Sequence, residues 1–305
     1  MTSDTLVSAA PGSSVPVQRR SALRSAAWAW LGLAPFVVYL FVFLALPTVL
    51  ALGSGFFDSD GEFTFENVAA LTDPVILRTF WNSTWLSALT AVLGAVIGAL
   101  VCYAMLTLRD ENPVRVTVDA ASGVFAQFGG VMLAFMWIAT LGLNGMVTLF
   151  LKDVLGIDIF AGGPWIYELP GLILPYVFFQ IPLMVITFMP ALAALRPQWA
   201  EANLVLGGTS TSFWLRVGFP VLAPAFFASL LLLFANAFSS YATAAALASQ
   251  GSQIVPLQIR TALTSETVLG RENLAGALAL GMIIVIAIVM SAYSFVQRRA
   301  ARWQS

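Results

Sequence analysis

An all-α membrane protein of six transmembrane helices, with N and C termini cytoplasmic, is what this chain is expected to form. Three observations lead there. The 305 residues are 59% hydrophobic and only 10% charged, with a mean hydropathy of +0.89, whereas globular chains carry about a quarter charged residues. The few charges are gathered between apolar runs. Residues 25–57, 79–108, 120–151, 169–195, 217–259 and 273–297 hold none, and each run exceeds the roughly 20 residues a helix needs to cross hydrocarbon. Lys and Arg are also uneven across alternate connections. Arg19, Arg20, Arg24, Arg109, Arg115, Arg196, Arg216, Arg298, Arg299 and Arg302 fall on the side of the termini, against Arg78, Lys152, Arg260 and Arg271 opposite. That bias places both ends in the cytoplasm. A barrel is disfavoured, because its strands are about ten residues long and alternate in polarity.

Residues 1–26 are expected as a disordered cytoplasmic tail and 27–305 as one six-span domain with a core over 80–297. The first apolar run is about twice the length of a signal-peptide core, so it reads as an uncleaved span. The spans are expected near 28–52, 80–106, 119–141, 169–194, 223–248 and 275–297. The outward loop 53–79 carries Phe63-Thr64-Phe65-Glu66-Asn67 and a turn or helix start at Thr72-Asp73-Pro74. The inward loop 107–118 is short and charged. The outward segment 142–168 holds a short interfacial helix over 143–151, then a turn through Gly162-Gly163 with Trp165 as an aromatic anchor. The last outward loop, 249–274, reads as polar. Gly94 and Gly98 fit the small-residue pattern that lets helices approach closely, here within one subunit.

Composition excludes several chemistries. There is no histidine, so imidazole triads, imidazole metal sites and imidazole proton relays are absent. Cys102 is the single cysteine, so no internal disulfide can form. An intramembrane enzyme would need a nucleophile with a base or a metal cluster, and no such set appears. An ion-coupled secondary transporter would need carboxylates near mid-membrane, but Asp119 and Glu168 sit at span edges. The polar residues within spans are few. Gln127, Gln180, Asn236, Ser240 and Tyr241 are the candidates to line a translocation path, with interhelical hydrogen bonding as the competing role for each.

The connection 196–222 is unusual. It is too polar and glycine-broken to cross a bilayer, yet rich in Leu, Val, Phe and Trp, which an aqueous loop exposes only where another protein covers them. Pro197 suits a helix first turn. Gly207-Gly208 supplies positive φ to reverse the chain. Thr209 or Ser210 can cap a second helix through Trp214 and Arg216, which Gly218 and the pre-proline position of Phe219 are expected to stop. A helix–turn–helix elbow on the cytoplasmic side results.

The residues Glu201-Ala202-Asn203, Gly207, Trp214, Val217 and Phe219-Pro220 lie at offsets that resemble the EAA loop of permease subunits in binding-protein-dependent, type-I ABC importers. Asn203, Gly208 and Phe219 depart from the Ala, Ala and Leu of that pattern. The resemblance implies a coupling loop formed by Glu201, Ala202, Gly207, Gly208, Trp214, Arg216 and Pro220 and seated on a separate ABC ATPase dimer. ATP and Mg would be bound by that partner, with no cofactor in this chain, which has no phosphate-binding loop of its own. It also implies a second permease subunit (the same chain or a paralogue), an extracytoplasmic solute-binding protein and the lipid bilayer as partners, with no role for nucleic acid. Phe238–Thr243 and Val255–Ile259 are more similar to the branch importing polyamines, phosphonates, iron or thiamine than to the sugar branch.

Overall fold

The computed structural model describes residues 32–58, 60–109, 111–248, 254–264 and 273–301. The expected tail 1–26, its arginines, and Glu266, Arg271, Glu272 and Arg302 lie outside them. The chain divides into two units, one ending at Leu50 and one starting at Ala51. Among the described residues six stretches are long and apolar enough to span a membrane: Gly32–Ser54, Pro74–Leu106, Gly130–Leu155, Leu169–Ala193, Ser210–Phe238 and Leu274–Phe295. Helix dominates, and the described residues hold no strand beyond one antiparallel bridge, Phe57 with Phe63.

The first unit is helical from Gly32 with a π turn at Phe41–Ala45, and its side chains are almost all exposed. The second unit is built around Leu169–Ala193, the most enclosed of the six stretches. Its main partner is Pro74–Leu106. That helix starts on an Asp73 cap, whose side chain accepts from the Val75 N–H at 2.8 Å, and on Pro74, whose missing N–H is harmless in a first turn. Its buried stripe runs Thr79, Ser83, Ser87, Thr90, Gly94, Gly98 and Cys102, three or four residues apart, which is one helix face. The two glycines act as expected. A Cβ at Gly94 would lie 2.6 Å from the Gln180 Cβ, and one at Gly98 would lie 2.5 Å from the Met184 Cβ. The two backbones meet where side chains are absent.

Four expectations need correction. The single helix expected over 119–141 is two, Pro113–Phe125 and Gly130–Leu141. Gly129 is extended and Gly130 adopts φ +71°, a conformation open to glycine that interrupts the helix between them. The short outward helix runs later than 143–151, over Met146–Leu155, and ends on left-handed Gly156. The fifth crossing does not continue to 248. It stops at Phe238, and a separate turn of helix, Ala242–Leu247, packs on Gly130–Leu141. Finally, the segment after it is no surface loop. Ile254, Val255 and Pro256 are fully enclosed, and Val255 starts a helix to Thr264. Its N–H, an orphan at a helix start, donates to the Ser83 hydroxyl at 2.8 Å. Ser83 lies nine residues into its helix, so this chain segment dips roughly 14 Å below the helix end. The expected turn through Gly162-Gly163 is present: Phe160 and Trp165 stack at 6.4 Å around Gly163 at φ +116°.

Gly55 and Gly276 cross backbone to backbone. A Cβ at Gly55 would meet the Ala277 N at 2.6 Å, and one at Gly276 would collide with Ala51 O and Gly55 N. The end of the first span is thereby fixed to the start of the last. Asn67 donates to Phe57 O and Asn273 to Asp58 O, both at 2.8 Å, and hold the hairpin between them.

Candidate coupling elbow and membrane path

The elbow starts at Pro197, the first residue of the helix Pro197–Val205. Gly207, at φ +79°, reverses the chain. The Gly207 N–H donates to Leu204 O at 2.9 Å and the Gly208 N–H to Asn203 O at 2.8 Å, satisfying carbonyls at the helix end. Of the two candidate caps, Thr209 serves. Its hydroxyl accepts from the Ser212 N–H at 3.2 Å, and a helical turn Ser210–Phe213 follows.

The expected stop at Gly218 does not occur. Trp214–Gly218 forms a π turn that passes directly into Phe219–Phe238, so helix runs unbroken from Ser210 to Phe238. The wider π turn leaves room at the position where Pro220 cannot donate. Gly218 contributes by absence: a Cβ there would lie 2.5 Å from the Trp214 ring, which folds back over it. The Trp214 ring also meets Tyr103 of the second span edge-to-face at 5.3 Å. The second arm of the elbow is therefore a direct continuation of the fifth span.

Glu201, Ala202, Gly207 and Arg216 are exposed, while Gly208, Trp214 and Pro220 are half-buried. The tip between the arms is apolar and bare, with Val205 88% and Leu206 86% exposed beside Leu204. Two departures from the EAA pattern turn out to be one. The Asn203 amide donates to Thr209 O at 3.0 Å, and a Cβ on residue 208 would lie 2.6 Å from its Cγ. With the Asn203 amide bonded to Thr209 O, no room is left for a Cβ at 208.

The five path candidates separate into two groups. Gln180 is fully enclosed, and its Nε2 donates to Thr90 Oγ1 at 2.8 Å while its Oε1 has no hydrogen-bond partner. Gln127, Asn236 and Tyr241 are exposed and Ser240 is half-buried. Around the second group the structure assembles residues that the sequence reading passed over. Tyr176, fully buried, donates its hydroxyl to Ser240 O at 2.8 Å. Thr243 donates to Gly130 O at 3.2 Å, linking the two helix breaks. Tyr176, Thr90 and Ser83 carried no sequence signal beyond small polar groups on an apolar helix. Irregular backbone within a membrane-spanning region is tolerated only where protein or water covers it.

No protein-family model matches the chain. It is 24% identical over 211 residues to a putative ferric transport system permease protein, FbpB 1, of Haemophilus influenzae, covering 67% of this chain and 32% of that protein. This chain thus spans about a third of the length of that relative. It is 29% identical over 222 residues to a probable sulfate transport system permease protein, cysT, of Nephroselmis olivacea, covering 72% and 71% of the two chains. Among solved structures, a bacterial ABC transporter involved in alginate import superposes with a TM-score of 0.75 at 15% identity, covering 92% of this chain and 98% of that one. The MetNI methionine ABC transporter superposes with a TM-score of 0.56 at 16% identity, covering 75% and 99%. In fold and in sequence likeness alike, this multi-pass membrane protein resembles the permease subunits of binding-protein-dependent type-I ABC importers.

Proposed function

We propose that this chain is the non-catalytic permease subunit of an ATP-driven importer in the cytoplasmic (inner) membrane. It would translocate a small solute delivered by an extracytoplasmic binding protein. The observation that carries the reading is the bare apolar tip at Leu204, Val205 and Leu206, on the connection where positive charge places the cytosol. Such a tip is stable in water only under a partner. An ABC ATPase dimer, holding ATP and Mg, fits as that partner, since the solved neighbours include MetNI and an alginate transporter bound to a periplasmic protein. Glu201 and Arg216 would be its polar contacts and Gly207 the turn that presents them.

The exposed polar group of Gln127, Asn236 and Tyr241, next to two helix breaks, cannot stably face hydrocarbon. It fits a surface closed by a second permease subunit, the same chain or a paralogue, with the path between them. For the solute, iron has sequence support within the expected polyamine, phosphonate, iron or thiamine class, because two similar permeases are named for ferric transport. Sulfate, the other named class, was not among the expected substrates. The alginate likeness is one of fold.

The test is ATP-dependent uptake in vesicles that contain the assembled complex. Glu201→Arg and Gly207→Asp are expected to abolish it while the protein still inserts. Wild-type uptake by both variants, or uptake driven by an ion gradient without ATP, would overturn the reading.

A further inference from the structure

We propose that the hairpin after the first span is an interfacial anchor whose aromatic base lies in the headgroup region of the bilayer. The hairpin carries four phenylalanines. Phe63 stacks on Phe56 at 6.3 Å and meets Phe57 and Phe65 edge-to-face at 6.0 and 5.1 Å. These contacts do not hide them: Phe57 is 43% exposed, and Phe63 and Phe65 are each 62% exposed. Rings clustered at close centroid distance yet open on one face form an apolar patch rather than scattered single side chains.

Covalent geometry sets the height of that patch. Phe57 follows Ser54, the last residue of the first span, by three residues, so it can rise no more than about 10 Å from the helix end. Phe63 is bridged to Phe57, and Phe65 touches Phe63. A second tether acts from the start of the last span. Asn273 donates to Asp58 O and immediately precedes Leu274, where the last span begins. Gly55 is wedged against Ala277. The aromatic base is thus continuous with the membrane surface at two span ends and cannot stand clear of it.

Charge orders the hairpin along the same axis. Asp58, Asp60 and Glu62 occupy the turn, fixed by two N–H groups donating to Asp58 Oδ1 at 2.9 Å and by Gly61 at φ +82°. Aromatic base and acidic tip match a membrane–water boundary, where Phe rings bury an apolar face at the headgroup–acyl boundary and charges stay in water. A soluble protein docking from above would meet the acidic tip first. The inference requires only that Gly32–Ser54 and Leu274–Phe295 cross the bilayer, and it is independent of what is transported.

The test uses the full chain in nanodiscs of phosphatidylcholine and phosphatidylglycerol, alone and with its assembled partners. With Cys102, the one cysteine, replaced by alanine, single cysteines at 60, 62, 63 and 65 carry a nitroxide. Its collisions with oxygen and with a water-soluble nickel chelate are then compared. Oxygen should dominate at 63 and 65 and nickel at 60 and 62. Because a cysteine removes a ring, benzoylphenylalanine at 63 provides a second measurement and should form lipid adducts on irradiation. Equal nickel access at all four positions would overturn the proposal, as would crosslinking of position 63 to a second copy or to the binding protein instead of lipid.

Discussion

Restoring alanine at position 208 should damage the elbow, and restoring it at both 203 and 208 should repair it. In Gly208→Ala the new methyl lands 2.6 Å from the Asn203 Cγ. The Asn203 amide is the free end of a side chain, so it swings away, but it then loses its bond to Thr209 O. That loss costs about 1 kcal/mol net, partly offset by about 0.4–1 kcal/mol from a less flexible unfolded chain. Asn203→Ala loses the same bond and gains about 0.5 kcal/mol of helix propensity in Pro197–Val205. The double variant loses the bond once, so the sum of the singles overcounts by about 1 kcal/mol. In hydrogen exchange of peptides spanning 197–216, that is about a fivefold difference in local opening between the double variant and the additive expectation. ATP-dependent uptake should follow the same order, with the double variant above Gly208→Ala. Singles that add to within about 0.4 kcal/mol would refute the coupling.

Matched glycines should behave oppositely. At Gly276 an alanine methyl meets backbone of Ala51 and Gly55, which cannot swing aside. Gly276→Ala should therefore lower stability by about 1–3 kcal/mol in a detergent melt, while Gly123→Ala, with open space around it, should be neutral or stabilising by up to about 1 kcal/mol. Between the second and fourth spans, Thr90→Val strips the fully buried Gln180 amide of its acceptor, at a cost of about 1–3 kcal/mol. Thr90→Val with Gln180→Leu removes both partners and should recover most of it in the same melt. The Phe160 N–H, and then Lys152, hold the Asp158 carboxyl below its ordinary 3.8. A lowered value means the contribution is present above the ordinary range and is lost as pH falls through the folded one. Exchange in peptides over 156–165, corrected for intrinsic rate, should rise as pH drops below about 4, and Asp158→Asn should remove the transition.

Most of the helical architecture was legible because its signals are long. Charge-free runs fix where spans lie, and the Gly94, Gly98 spacing marked a close helix approach within the subunit, whose partner the structure identifies as Leu169–Ala193. What failed to show were features set by single residues in context. Gly129-Gly130 and Gly207-Gly208 are the same dipeptide, yet the first fell inside an expected span over 119–141 and the second was read as a turn. Only the tertiary fold reveals that both interrupt helix. The stop expected at Phe219-Pro220 follows from local rules, which a π turn over Gly218 circumvents. Tyr176, Thr90 and Ser83 look like ordinary apolar-helix substitutions until the carbonyl, amide and N–H they satisfy are seen on other elements. The elbow was legible in outline, and Asn203 and Gly208 read as two independent departures until their contact was visible.

The unbroken helix from the elbow into the fifth span has a mechanical consequence for the proposed function. Ser210–Phe238 is 29 residues, a rod of about 44 Å. Its elbow end carries Trp214 and joins the bare tip through the Gly207-Gly208 turn, and its far end leads into the break at Ser239–Tyr241. An elbow built from two separate short helices would pass a partner's movement to the membrane through a flexible joint. Here the joint on the membrane side is absent, and a tilt imposed at Leu215 is a tilt at Phe238. The contacts that resist such a tilt are specific: Trp214 with Tyr103, Phe226 with Phe188 and the Tyr293 hydroxyl on Pro224 O. At the outer end, the chain beyond the rod is held by Tyr176 through Ser240 O and by Thr243 through Gly130 O. A partner that grips the elbow at Trp214 and Leu215 therefore acts on Asn236 through one rigid element, and reaches Tyr241 across the break. The helix break beside them is where that motion can be absorbed without unfolding a span.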